Sequence, residues 1–580
     1  MSQETSSISI LNKRWKILPL PDEEKINQLS AQLNHLDKTL TAILIQRGID
    51  TFDKAKAFFR PSLDLLHDPF LMKNMETAVE ALIEAEKNGI KILIYGDYDV
   101  DGTTSVALVY SFLKKYFPER IDYYIPDRHK EGYGISLQGI DYAAENNFSL
   151  VIALDCGIRA VKQMQYAREK GVDFVICDHH LPGEELPEAT AVLDPKQDGC
   201  NYPYKELSGC GVGFKLLQAF CIKKNIELNE LLQYLDFVAI SIAADIVPIT
   251  GENRVLESLG LKKINKEPLP GIKSLIDLAL KKRKLTVSDL VFGIAPRINA
   301  AGRLGSAKNA VKTLIAANNN DGDEHASFIH KENESRRELD KEITREALEI
   351  IEKFENNSLR KTSVVYKPGW HKGVIGIVAS RLIETYYRPT IVFTQSEDGL
   401  ITGSARSVKG YSVYDAINAC SHLLEKFGGH KYAAGLSLKE ENLEEFTRLF
   451  EQKVAETIPE ELLIPEQTID AKLSLAQITN GFYKILKQFA PFGPGNMRPV
   501  FLAENVLVKF PPKVLKEKHL KMTVFQPDNP NETFDAIGFD LGKAAGKIDE
   551  GVPFDIVFNI EENVWNGNVT KQLVLKDLRV

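Results

Sequence analysis

Five short apolar runs between residues 91 and 195 constrain the fold of this chain more than any other feature. They are KILIYGD (91–97), DYYIP (122–126), LVIALD (150–155), DFVICD (173–178) and TAVLDP (190–195). Each is apolar without a break rather than alternating with polar residues, so both faces of each strand are to be buried. Helical stretches such as TTSVALVYSFLKKYF and RAVKQMQYAREKG separate most of them. The strand–helix–strand order predicts a doubly wound parallel sheet with helices on both faces. Open sheets of this kind bind ligands beyond the carboxyl ends of their strands.

Unusual polar residues collect at those ends. Asp97 closes the first run, with Asp99 and Asp101 on the following turn, in YGDYDVDGTTS (95–105). Asp155 closes the third run, and Asp178, His179 and His180 close the fourth. Carboxylates at two-residue spacing repel, and burying one unpaired is costly, so something positive is expected between them. Asp245, in SIAADIVP, lies in an apolar segment and reads either as one more member of the cluster or as an aspartate at a helix end. Carboxylates with one or two imidazoles suit Mn²⁺ or Mg²⁺, the histidine favouring manganese. Two such ions about 3.5–4 Å apart serve phosphoryl chemistry. Gly102 frees the backbone after the aspartates, and Thr103 or Thr104 is placed to cap the next helix, whose N-terminus favours an anion. DYDVDG also matches the start of an EF-hand loop. That loop needs Glu at its twelfth place, here Leu108, and a helix before it, here an apolar strand.

Composition sets the outer limits. The 580 residues have room for about three or four domains. No apolar run reaches the ~18 residues of a membrane span, and the N-terminus lacks the apolar core of a signal peptide, so export is not expected. Six scattered cysteines with no CxxC pair argue against zinc and disulfides and for a reducing cytoplasm. A net charge of −8 speaks mildly against nucleic acid, although a local basic groove remains compatible with it. KKRK (281–284) and KVLKEKHLK (513–521) are candidate patches.

Further along, helical segments fill about 211–280. ASFIHKENESRRELDKEITREALEIIEKFE then reads as one helix of roughly 45 Å connecting domains. Residues 358–455 look like a smaller α/β unit, with strands SVVYK and PTIVFT and helix GVIGIVASRLIETY. After 458–466 the runs LVKF, LKMTVFQ, FDAIGFD, FDIVFNIEENVW and KQLVLKDLRV predict a small antiparallel barrel.

In this order, GDYDVDGTTS, LDCG, CDHHLPG and SIAADIVP resemble the four motifs of the DHH phosphoesterases, and the opening GDYDVDG resembles the RecJ branch, single-strand-specific 5′→3′ DNA exonucleases. FGIAPRINAAGRLG (292–305), GWHKGVIGIVASRL (369–382), GSARS (403–407) and FGGHKYAAG (427–435) are similar to the connector and DHH-associated domain of that branch. QFAPFGPGNMRPVF (488–501) is similar to the entrance of its oligonucleotide-binding (OB) barrel. The implied architecture is a multidomain α/β protein. It has an N-terminal segment (1–60), a doubly wound DHH domain (61–270), a connector (271–357), a DHH-associated domain (358–457) and an OB-type barrel (458–580).

The resemblance implies metal ligation by Asp99, Asp101, Asp155, His179 and Asp245, with Asp97 as ligand or support and His180 facing the scissile phosphate. It places Arg297, Asn299 and Arg303 on phosphate, Ser404, Arg406, Gly428, Gly429 and His430 on the strand backbone, and Arg128 as a further phosphate contact. Arginine's planar fork suits that work. The expected activity is two-metal hydrolysis of single-stranded DNA from its 5′ end to mononucleotides, in repair and recombination, by a cytoplasmic monomer. A helicase and a single-strand-binding protein are the implied partners. Two rivals remain: a relative acting on short oligonucleotides or cyclic dinucleotides, and a non-catalytic strand-binding scaffold. Met497 stands where the family often has proline. The resemblance also leaves no residues for the further C-terminal domain of some relatives, so contacts made through it are not expected.

Overall fold

The computed structural model describes residues 9–128, 130–280, 284–396, 399–565 and 567–580. Of the basic run 281–284, residues 281–283 lie outside the described residues. The chain forms two compact units, one of residues 53–336 with 488–497, the other of 1–52, 337–487 and 498–580.

In the first unit the five apolar runs form one parallel sheet. From edge to edge its strands are Ile121–Tyr124, Ile92–Gly96, Leu150–Leu154, Asp173–Cys177 and Ala191–Leu193. Side chains alternate between two separate cores. Ile92, Ile94, Ile152, Leu154, Val175 and Cys177 enter one with helices Met75–Lys87, Val100–Leu113, Gly209–Lys224 and Leu235–Ala244. Leu93, Tyr95, Val151, Ala153, Phe174 and Ile176 enter the other with helices Leu137–Glu145 and Val161–Glu169. Period-two alternation with both faces buried is why these strands read as unbroken apolar runs. Each fully buried aliphatic side chain contributes about 1.5–3 kcal/mol, so this double core dominates the stability of the unit.

The long helix runs Asn319–Glu352, 34 residues, or about 51 Å. It starts earlier than its apolar periodicity suggests, because Gly322 lies inside it. A Cβ there would meet Ser274 Oγ at 2.7 Å, so the glycine permits close packing at a cost in helix propensity.

The second unit holds a sheet ordered Lys426–His430, Ala433–Leu438, Ile401–Arg406, Thr390–Gln395, Ser363–Tyr366, antiparallel except for its last pair. Its barrel closes through Phe501–Val508, Phe554–Trp565, Asn568–Arg579, Asn529–Gly538 and His519–Gln526, which pairs back to Phe501–Val508. The expectation of an all-antiparallel barrel is corrected here, since Asn529–Gly538 and Asn568–Arg579 run parallel. The hairpin 554–579 inserts between Phe501–Val508 and Asn529–Gly538, and its return strand lands alongside Asn529–Gly538 in the same direction. Arg14–Ile17 pairs in parallel with Glu466–Ile469. Lys513, Lys516, Lys518 and Lys521 are all exposed on the hairpin 513–526. Among the described residues no helix is long and apolar enough to cross a membrane.

Candidate metal centre

Register brings the acids to one level. Gly96, Leu154, Cys177 and Leu193 are paired residues on four adjacent strands, and each is the last of its strand. Asp97, Asp155, Asp178 and Asp194 are the next residues along the chain. The chain leaves Ile92–Gly96 toward one edge and returns to Leu150–Leu154 on the other side, so Asp97 and Asp155 flank the switch point where such sheets bind ligands.

The turn after Asp97 is built by glycines. A Cβ on Gly102 would lie 2.4 Å from the Asp97 carbonyl oxygen, and one on Gly96 2.4 Å from Val106 Cγ2. The helix therefore begins at Val100, and its cap is Asp99, whose carboxylate accepts from Gly102 N at 3.1 Å. This corrects the threonine-cap expectation. The Thr103 and Thr104 hydroxyls lie inside the helix and donate to the carbonyls of Asp99 and Val100, 2.6 Å each. Asp101, in the first turn and buried, accepts from Gly209 N (2.7 Å), Cys210 N (2.9 Å) and Ser241 Oγ (2.7 Å). Its charge thus sits at the N-terminus of helix Gly209–Lys224, where the helix dipole favours an anion.

His179 is the hub. Its Nε2 lies 3.2 Å from Asp155 Oδ1, 3.6 Å from Asp245 Oδ2 and 3.7 Å from Asp101 Oδ2. Asp155 reaches the hub from a left-handed backbone (φ 58°), its N–H held by the Cys177 carbonyl. Asp245 is the C-cap of helix Leu235–Ala244, so both readings of this residue hold at once: it ends a helix and joins the cluster. Two overlapping groups have ligand-type atoms close enough to share an ion, Asp101–His179–Asp245 and Asp155–His179–His180. Asp99 stands beside them as the helix cap. Asp97 belongs to neither group and is buried.

The electrostatics are those of a cation cage. Burial, then the charges of Asp101 and Asp99, push Asp245 up to about 8. Burial and the same neighbours raise Asp155 well above the carboxylate range, and burial and Asp99 do so for Asp97. Burial pushes the His179 imidazole down. Asp97 Oδ1, Asp155 Oδ1 and both His179 ring nitrogens are buried without a well-formed hydrogen bond among the described residues. His179 Nε2 among the buried, mutually repelling carboxylates of Asp101, Asp155 and Asp245 fits one or two divalent cations with oxygen and nitrogen preference.

Asp178 plays a different part. Its carboxylate accepts from Ile158 N, His179 N, His180 N and His180 Nδ1 at 2.9, 2.7, 3.2 and 2.8 Å. Burial alone would raise it, but the bond and charge of His180 and these N–H donors hold it at about 2. His180 loses from burial but gains more from Asp178, and is pushed up to about 9. The outer face of His180 meets Tyr133, whose hydroxyl lies 3.3 Å from Nε2 and 3.5 Å from the Asp155 carbonyl oxygen. Sequence reasoning assigns no individual role to Asp178 beyond its motif, and none to Tyr133 or Asp194. Asp194 is buried, with Oδ2 lacking a partner among the described residues, and burial takes it to about 7. Its signal is present in TAVLDP, which repeats the pattern of an apolar strand ended by aspartate.

The residues expected on phosphate are placed less uniformly. The Arg128 guanidinium lies 4.9 Å over the Tyr98 ring, and both line a cavity of about 160 Å³ with Lys308 and Ser306. Helix Ala295–Leu304 packs on the same turn, where a Cβ on Gly302 would lie 2.7 Å from the Tyr98 carbonyl oxygen. Arg303 on that helix is half-buried and its charge is felt at Tyr98, which burial raises to about 12. Asn299 is half-buried. Arg297 is buried and turned inward, donating to His330 Nδ1 at 3.0 Å and to the Gly293 carbonyl. That engagement ties its helix to the long helix, a structural use that departs from the expected phosphate contact.

In the second unit Ser404, Gly435 and Gly428 are cross-strand partners, as are Arg406, Ala433 and His430. Arg406 donates to Ser404 Oγ at 3.0 Å. A Cβ on Gly428 or Gly435 would meet nothing within 4 Å, so bare backbone faces open space beside an arginine and a histidine. Gly429 holds φ 144° and could not carry a side chain without striking Ala433 and Ala434.

Three segments of the chain match known families: residues 91–242 the DHH family, N-terminal domain, 360–456 the DHHA1 domain and 469–577 the RecJ OB domain. The chain is 38% identical over 571 residues to the single-stranded-DNA-specific exonuclease RecJ of Bacillus subtilis (strain 168), covering 98% of this chain and 71% of that protein. It is 34% identical to that of Escherichia coli (strain K12), covering 87% and 90%. The crystal structure of RecJ in complex with Mn²⁺ from Thermus thermophilus superposes with a TM-score of 0.83 at 26% identity, over 98% of this chain and 79% of that one.

Proposed function

The chain belongs to the RecJ family, and from that premise we propose that it is a metal-dependent exonuclease that hydrolyses phosphodiester bonds of single-stranded DNA. The observation that carries this reading is the His179 imidazole, without a good hydrogen bond among the described residues, between the carboxylates of Asp101, Asp155 and Asp245 at the carboxyl end of the sheet.

Asp99, Asp101, Asp155, His179 and Asp245 would hold the Mn²⁺ or Mg²⁺ ions, with Asp97 completing or supporting the set. Bound there, the cations supply Lewis-acid polarisation of the phosphate and a lowered pKa for the attacking water. His180, kept cationic by Asp178, faces the scissile phosphate and donates to a non-bridging oxygen, stabilising charge as it develops. Tyr133 limits where that imidazole can swing. Arg128 and Arg303, whose charges both act on Tyr98, neutralise the strand's phosphates. The bare backbone at Gly428 and Gly435, with Ser404, Arg406, Gly429 and His430 in the same sheet, supports contact with the strand backbone, because no side chain fills the space over those two glycines.

The finer reading is 5′→3′ polarity, 5′-mononucleotide products, and work in DNA repair and recombination as a cytoplasmic monomer beside a helicase and a single-strand-binding protein. A long oligonucleotide labelled at either end, single-stranded or annealed and supplied with Mn²⁺, tests it. The expected result is release of labelled mononucleotide first from the 5′-labelled single strand, abolished by chelation and by Asp155→Ala with strand binding retained. Cleavage of dinucleotides alone, or digestion by the Asp155→Ala variant, would overturn the assignment.

A further inference from the structure

The segment FAPFGPGN (489–496) has no part in the chemistry described so far, and its placement asks for one. Asp245 is the first residue of a tight passage, 245–249, leaving helix Leu235–Ala244. The next residue, Ile246, holds φ 61°, a region that β-branched side chains avoid, and its side chain is 66% exposed. Burial of Ile246 therefore does not hold the passage in place, so its neighbours must.

Those neighbours act on Pro248 and Ile249. The Pro248 carbonyl accepts from Tyr204 Oη at 3.1 Å and Asn253 Nδ2 at 3.0 Å. The Ile249 N–H donates to the Pro494 carbonyl at 2.7 Å. Pro494 lies in the stretch 488–497, which clusters with residues 53–336 although the sequence on either side of it clusters with the other unit. Arg254 anchors that stretch, donating to the Ala490 and Pro491 carbonyls while its Nε donates to the Phe58 carbonyl. Both glycines beside Pro494 permit close contact with the passage. A Cβ on Gly493 would lie 2.4 Å from Ile249 Cδ1, and one on Gly495 3.0 Å from Thr250 Cγ2 and 3.3 Å from Pro248 Cβ.

We propose that Gly493–Pro494–Gly495, with Tyr204, is a positioning clamp for Asp245. By fixing residues 248–249 it holds the strained backbone at 246 and so sets where the Asp245 carboxylate meets His179. The inference rests on Asp245 being a metal ligand. Among the described residues no hydrogen bond joins Tyr204, Gly493, Pro494 or Gly495 to the cage, so their substitution acts on metal affinity through the passage that carries Asp245.

The test is a Mn²⁺ titration of the full chain by calorimetry or by electron paramagnetic resonance of free Mn²⁺, with melting of the metal-free protein measured alongside. Gly493→Ala is expected to weaken Mn²⁺ binding about tenfold with little change in metal-free melting. Adding Ile249→Ala, which vacates the space the new methyl needs, restores the affinity. Tyr204→Phe weakens binding in the same direction and decides the matter should Gly493→Ala fail to fold. Parental affinity in both single variants, with Asp245→Ala still impaired, overturns the clamp alone. A parent chain that binds no Mn²⁺ overturns the metal reading and the clamp together.

Discussion

Gly209 stands directly against Asp155: a Cβ built on the glycine would lie 2.6 Å from the Cβ of the aspartate and 2.8 Å from its Oδ1. The same glycine's N–H holds Asp101 Oδ2 at 2.7 Å. One backbone position therefore locates two carboxylates of the cage. Gly209→Ala is expected to displace Asp155, with a packing cost of about 1–3 kcal/mol and a fall in nuclease activity of about 10²-fold, as expected for a misplacement near 1 Å. Digestion of single-stranded DNA together with a melting curve checks this, and full activity in the variant would refute it.

The second prediction separates stability from function at Asp155. Its carboxyl is buried, makes no well-formed hydrogen bond at Oδ1 among the described residues, and is raised well above the usual range by burial and four acidic neighbours. Asp155→Asn keeps the shape and removes the charge. The metal-free protein should gain about 1 kcal/mol of stability while losing the melting-temperature rise that Mn²⁺ gives the parent. A destabilised metal-free variant would contradict it.

The third concerns pH. A carboxyl whose folded pKa lies above its unfolded value keeps a proton in the native state that the unfolded chain releases. For Asp245, at about 8 when folded against an ordinary value of 3.8, stability of the metal-free protein should be greatest below pH 4 as far as this group decides it. It should then decline as pH rises toward 8. Metal affinity runs the other way, because protons compete with cations for the same oxygens. Mn²⁺ affinity should climb up to about pH 8, with proton uptake by the buffer on binding. A pH-independent affinity between 6 and 8 would count against the cage.

The fourth addresses Asp178. It holds His180 at about 9, so the imidazole is cationic through neutral pH. Asp178→Asn removes the charge and should let burial bring His180 down. Activity is then expected to fall about 10–100-fold at neutral pH and to recover partly toward acidic pH. Mn²⁺ affinity should change less than activity does. Rate–pH profiles of parent and variant that superpose would exclude this role.

How much of this is legible in the sequence differs by element. The parallel sheet is, since strands covered on both faces must be apolar throughout, and the acids at their ends follow directly. Asp97, Asp155 and His179 are legible because they end or follow recognisable apolar runs, Asp99 and Asp101 because they follow Asp97 on one turn, whereas Asp245 is open to two readings. Asp194 escapes notice because its run, TAVLDP, lies outside the four motifs. The cap at Asp99 is not visible, since it depends on Gly102 folding back onto Asp97. Arg297 illustrates a more general limit. Residues on one helix share their sequence context, yet tertiary packing turns Arg297 toward His330 while Arg303 stays beside Tyr98. Strand order in the barrel is hidden for the same reason, because pairing between distant strands leaves no local trace.

Three thiols lie near the cage: Cys156 after Asp155 and Cys177 before Asp178 in sequence, and Cys210, whose N–H holds Asp101. All are buried and free, and burial and nearby carboxylates keep them protonated. Their sulfurs pack in the apolar cores on the two sides of the sheet. A cation held there would meet hard oxygens and one or two imidazoles, with no thiolate to trap a soft metal. Such a donor set suits manganese or magnesium and offers nothing that would favour a thiophilic metal in their place.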